Sequence, residues 1–121
     1  MICPDCSLHP LRCHATIATT SRDQTRRHTS QWWKCSGCEM CFYAVLTEWT
    51  NDTWVEHMGY RIEGKRWRRT LPIARSCPTP HDGTCRCDAH SQFATPWFGG
   101  TAPRVWHHSQ RQWGLGDRVS H

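Results

Sequence analysis

Hydrophobic and polar positions alternate most clearly near the start of the chain. Between Arg12 and Thr20, Cys13, Ala15 and Ile17 fall on one side, and His14, Thr16 and Ala18 on the other. A period of two, rich in β-branched residues, predicts a strand. Ser21–Ser30 is polar and charged, and reads as the exposed tip of a hairpin. Gln31 to Lys34 re-enters as a second strand, and Cys41 to Thr47 forms a third. The segment from Glu48 to Glu56 is nearly mirror-symmetric about Asn51 and Asp52. A two-residue turn there sets Trp49 opposite Trp54 and Thr50 opposite Thr53, and Asn and Asp tolerate the backbone it needs. The competing reading is a short helix capped by Asp52 or Thr53 and stopped by Gly59.

Further along, a turn at Gly64 and Lys65 is expected to pair Glu63 with Arg66 and Ile62 with Trp67 in another hairpin. From Leu71 onward aliphatic residues thin out. Pro72, Pro78, Pro80, Pro96 and Pro103 interrupt the chain, together with Gly83, Gly99, Gly100, Gly114 and Gly116. The expected organisation is a three-stranded antiparallel unit over 1–50, a hairpin extension over 51–70, and a loop-rich segment over 71–121. The fold class is small and mostly β.

Cysteine spacing gives this pattern its chemistry. Cys3-x2-Cys6 and Cys35-x2-Cys38 are separated by 28 residues. Each Cys-x2-Cys turn, or knuckle, aims two sulfurs at one point, and two such turns supply the four tetrahedral ligands that zinc prefers. The gap is longer than the usual span of about 15–20 residues, so the intervening hairpin must be long. The architecture is that of a zinc ribbon. A second group, Cys77, His81, Cys85, Cys87 and His90, lies within fourteen residues, and any four would complete another site. The compact pairs Cys77-x3-His81 and Cys85-x-Cys87 make one such set, with Gly83 permitting the turn between them. Unliganded side chains in a flexible tail are the competing reading. Cys13 and Cys41 fall outside both groups and are expected as small core hydrophobes.

Composition strengthens the metal reading. Of 121 residues only 37% are hydrophobic, and eight of those are Trp. A core that thin needs a staple. Nine cysteines, Met1 leading at once into the first knuckle, and no apolar run of about 18 residues together point to a reducing, cytoplasmic setting without membrane insertion. Zn2+ is the expected cofactor, with one ion or two.

Charge narrows the partner. The net charge is +5, and every basic residue except Lys34 and Lys65 is Arg, the side chain that forks onto phosphate and stacks on bases. Arg22, Arg26, Arg27 and His28 occupy the hairpin tip. Arg61, Lys65, Arg66, Arg68 and Arg69 surround Trp67. Trp32, Trp33 and Trp67 lie near these charges, where Trp32 and Trp67 serve equally as stacking platforms or as core. Trp33, Trp49 and Trp54 are expected in the core.

The layout Cys3-Pro4-x-Cys6, then Thr20-Ser21-Arg22, then Trp33-x-Cys35-x2-Cys38-x3-Phe42 resembles the Ogr/Delta-like phage late-transcription activators over residues 2–50. That resemblance implies a zinc-binding regulator of phage transcription that contacts DNA or RNA polymerase. The ribbon is also similar to that of transcript-cleavage elongation factors, whose hairpin tip carries an acidic pair, and to insertion-sequence DNA-binding ribbons. Here the tip reads Arg22-Asp23-Gln24, with one carboxylate, so metal-assisted cleavage is not expected. The chain has no HExxH element, no paired catalytic carboxylates and no nucleotide-binding glycine loop. The expectation is a non-enzymatic transcription regulator. The alternative is an adaptor or inhibitor that binds a host enzyme through exposed Trp and Arg.

Overall fold

Strand alternation builds most of the molecule. In a computed structural model, which describes residues 1–50, 54–96 and 103–111, five strands form one antiparallel meander in sequence order. They are β1 (Leu11–Thr20), β2 (Arg26–Cys35), β3 (Cys41–Trp49), β4 (Trp54–Arg61) and β5 (Arg104–Arg111). Two helices, α1 (Gly64–Arg75) and α2 (Asp88–Gln92), lie between β4 and β5. The three N-terminal strands form, but β2 begins at Arg26, so the expected tip of Ser21–Ser30 shrinks to 21–25. Arg26, Arg27 and His28 lie in the strand, because their backbone pairs with β1 and β3 despite the polar side chains. Glu48 pairs with Val55, and this register carries Trp49 and Trp54 to facing positions, so the hairpin rather than the helix forms. Its expected turn at Asn51 and Asp52 lies outside the described residues.

Two expectations fail. The segment after Ile62 is a helix, not a hairpin. Trp67, Thr70, Leu71 and Ala74 recur at helical spacing, and Trp67 and Ala74 are the residues it buries. Pro72 sits inside this helix without ending it. It removes one late hydrogen bond, to the carbonyl of the solvent-exposed Arg68. The segment after Leu71 also carries more regular structure than its composition suggests, because β5 completes the sheet against β4.

Each face of the sheet has its own core. On one face, Ile17, Trp32, Tyr43, Val45 and Tyr60 pack with Ile62, Trp67, Ala74, Cys77 and Ala89, which arrive from the helices and the loop between them. Trp32 is 1% exposed, and its Nε1–H donates to Thr70 Oγ1 at 2.9 Å. Thr70 Oγ1 in turn donates to the Arg66 carbonyl, which locks α1 to the sheet. On the other face, Leu11, Phe42, Ala44 and Trp106 pack with Cys3 and Cys35. Gly59 is required there: a Cβ would come 2.1 Å from the Trp106 ring that lies over it.

β1 is an edge strand and is covered. A bulge between Cys13 and Ala15 exposes the His14 carbonyl, which accepts from Arg75 Nε at the end of α1. Farther along, Ala18 N–H donates to the Pro80 carbonyl at 2.7 Å. Covering an edge in this way blocks strand addition.

Candidate metal centres

The first centre is assembled by two chain reversals of the same kind. Cys3 to Cys6 precedes β1, and Cys35 to Cys38 joins β2 to β3. In each, the residue after the second cysteine takes a left-handed backbone: Ser7 at φ 58° and Glu39 at φ 63°. Gly37 and Cys38 N–H groups both point at Cys35 Sγ, each at 3.3 Å. Backbone bonds from Cys3 to His9, from Leu11 to Met1 and from Ser36 to Pro10 hold the two turns together. The Cys3 and Cys38 sulfurs lie 3.7 Å apart, as do those of Cys6 and Cys35. All four ligand atoms fall within 4.8 Å of one another. Four sulfurs about 2.3 Å from a central zinc are separated by about 3.8 Å, so the cluster has the dimensions of a closed tetrahedral site.

Protonation points the same way. N–H of Leu8, with His9, pulls the Cys6 thiol down to about 5. At Cys38 the Met40 N–H favours the thiolate, but burial and the sulfurs of Cys35, Cys3 and Cys6 outweigh it and push the thiol up to about 12. Thiols this close cannot all ionise against one another. A bound cation removes that repulsion, as thiolate–metal coordination requires.

The second centre sits between α1 and α2. Cys77 follows the end of α1. Asp82 folds the intervening loop by accepting from Thr84 N–H at 2.9 Å and Thr84 Oγ1 at 2.6 Å. Cys87 is the N-cap of α2, and its sulfur accepts from His90 N–H at 3.5 Å. His90 Nδ1 lies 3.2 Å from Cys77 Sγ and 3.4 Å from Cys87 Sγ, and Cys85 Sγ lies 3.9 Å from Cys77 Sγ. The ligand set is therefore Cys77, Cys85, Cys87 and His90. His81 is not part of it. Its side chain is exposed, and its carbonyl accepts from Arg27 Nη2 where the loop wraps the β1 edge. The sequence signal for His90 was its place three residues after Cys87, which puts an N-cap side chain and a first-turn side chain side by side. Zn2+ fits both centres. Each supplies four soft or imidazole ligands with no open position, the arrangement of structural zinc.

The remaining singled-out residues separate into anchored and exposed groups. Arg61 pairs with Asp5 of the first knuckle, its Nε 2.9 Å and 3.0 Å from the two carboxylate oxygens. That pair holds the Asp5 carboxyl below its ordinary range. Trp67 is core at 6% exposure, with Lys34 Nζ 5.9 Å from its ring centroid, so it offers no stacking surface. Trp32 is core as well. Trp54, expected inside, is 40% exposed. Cys41 is buried as expected, whereas Cys13 is exposed. Arg66 is half-buried beside Trp32, Tyr43 and Phe93. Lys65, Arg68 and Arg69 are exposed on α1, and Arg22 at the hairpin tip and Arg26 at the start of β2 are exposed. Asp23, the tip's one acidic residue, is folded into the turn: it accepts from Ser21 Oγ, Thr25 N–H and Thr25 Oγ1, and these bonds hold its carboxyl far below the ordinary range. No helix among the described residues is long and apolar enough to cross a membrane.

Fold and centres together define a small antiparallel β-sheet protein stapled by two zinc-type ligand sets, one on each face. No known protein family, curated protein or solved structure matches the chain.

Proposed function

We propose that this protein is a non-enzymatic, zinc-stabilised module that binds nucleic acid in the control of transcription. The resemblance to late-transcription activators adds a phage setting to that proposal. One observation carries it. The outward face of α1 presents Lys65, Arg68 and Arg69 together, and among the described residues no carboxylate lies within ion-pairing distance of them. Cations held on a rigid helix and left unneutralised match a phosphate backbone, which a helix side can follow. The closed metal spheres leave no position for a substrate, which favours a scaffold over a catalyst.

The test is duplex-DNA binding measured against salt. Replacing Lys65, Arg68 and Arg69 with Ala should weaken binding and reduce the slope of log K against log salt by about 0.9 for each lost phosphate contact. Zinc content and far-UV circular dichroism should stay at wild-type values. Wild-type affinity and slope in the variant would overturn the role given to α1. Retention on RNA polymerase that survives nuclease would move the target from the nucleic acid to the polymerase surface.

A further inference from the structure

One end of the sheet carries a row of side chains that neither metal centre uses. Arg26 pairs with Trp49 across β2 and β3, and Trp54 pairs with Arg111 across β4 and β5. The β3–β4 register sets Trp49 against Trp54. The row of side chains therefore reads Arg26, Trp49, Trp54 across β2, β3 and β4. Its residues point to the face that α1 covers at the opposite end, beside the knuckles, where Ile62 N–H meets the Cys41 carbonyl. Trp54 is 40% exposed, Trp49 is half-buried and Arg26 is exposed.

The row adjoins a 620 Å³ depression lined by Thr20, Arg22, Gln24, Thr50, Thr84 and Arg86. The hairpin tip forms one wall and the second metal loop the other. Both walls are fixed. Thr50 N–H donates to the Thr25 carbonyl and Thr50 Oγ1 to the Gln24 carbonyl, each at 2.8 Å. Gly83 approaches Thr20 so closely that a Cβ would come 2.3 Å from Thr20 Oγ1. Three carboxylates of these elements have partners: Asp23 within its turn, Asp82 by Thr84, and Glu56 by His107 Nε2 at 3.0 Å. Against these carboxylates, Arg22, Arg26 and Arg86 present three exposed guanidiniums, Arg26 in the row and Arg22 and Arg86 on the walls of the depression.

We propose that this end of the sheet binds an unpaired nucleic-acid strand, with bases stacking on Trp54 and Trp49 and phosphates held by Arg22, Arg26 and Arg86. It rests on the nucleic-acid function above and adds the form bound and the surface that binds it. A duplex hides its base faces, so exposed indoles reward only a strand whose bases are unstacked. Flanking guanidiniums supply the backbone contacts that aromatic platforms need. The two basic surfaces then divide the work, the α1 face taking backbone in any form and the sheet end taking single strands.

The experiment compares a labelled oligothymidylate with a blunt duplex, by anisotropy, for the wild type and for Trp49→Leu, Trp54→Leu, Trp54→Phe and Arg86→Ala. Leu keeps apolar bulk without a π-face. Trp54→Leu should lose about ten-fold in single-strand affinity and keep its duplex affinity, and Trp54→Phe should recover most of the loss. Arg86→Ala should lower the single-strand salt slope by about 0.7. Zinc content confirms that each variant is folded. Single-strand affinity unchanged in both Trp54→Leu and Trp49→Leu overturns the inference. So does a wild type that binds duplex alone, which leaves the function itself standing. A wild type that binds neither form overturns both.

Discussion

At the scale of single residues, the structure puts Trp32 and Trp67, each open to either role in the sequence, in the core, and turns Trp54 outward against expectation. Both core indoles stand near charge in the sequence. Local charge density does not report burial, because a strand or helix places neighbours on opposite faces. Trp32→Ala should destabilise by about 3–5 kcal/mol in urea unfolding, since it empties the centre of one core and removes the Nε1–H bond to Thr70 that ties α1 to the sheet. A loss below about 1 kcal/mol would contradict that packing. His57 gives a second prediction. It faces Leu46 on β3, Gln31 on β2, and Trp106 and His108 on β5. Burial, with a smaller push from His108, lowers its imidazole from 6.5 to about 4. The unfolded chain therefore binds the extra proton first as pH falls, so this contribution is complete above 6.5 and disappears toward 4. His57→Gln should flatten the stability curve in that window, with metal release followed in parallel. Curves of equal slope for both proteins would remove His57 as a cause.

At the scale of elements, the two knuckles were legible because their chemistry is local: two cysteines three positions apart fix a turn wherever it sits. β1 was legible from alternation and β3 from its apolar residues, β2 only from Gln31 onward because Arg26 to Ser30 is polar, and β4 from the mirror about Asn51 and Asp52. α1 was missed because Gly64-Lys65 mimics a hairpin turn, although the Trp67, Leu71 and Ala74 stripe already carried the helical period. β5 was not legible because its pairing depends on β4, some fifty residues away, and on Trp106 lying over Gly59. His81 was preferred to His90, although both were candidates, because sequence proximity does not show which side chain α2 turns toward Cys77. The knuckles supply an element-level test. Glu39 holds a left-handed backbone that costs a residue with a side chain about 1–2 kcal/mol. Glu39→Gly should raise the midpoint of thermal unfolding of the zinc-loaded protein. A lower midpoint would show that the Glu39 side chain contributes more than the strain it imposes.

At the scale of the whole molecule, neither sheet face closes by apolar packing alone. Cys3 and Cys35 belong to one core, and Cys77 to the other. Each ion thus ties a core to a chain segment that would otherwise hang from it: the N-terminal ten residues on one side, and the loop along the β1 edge on the other. Cys35→Ser should loosen the first, and His90→Ala should free the second together with the depression beside Arg86. The most direct measurement is zinc stoichiometry by native mass spectrometry alongside thermal unfolding. Two zinc ions per chain are expected, with one remaining in either variant and a cooperative transition that a chelator abolishes. A chain that binds no metal and still unfolds cooperatively at the same temperature would contradict the account.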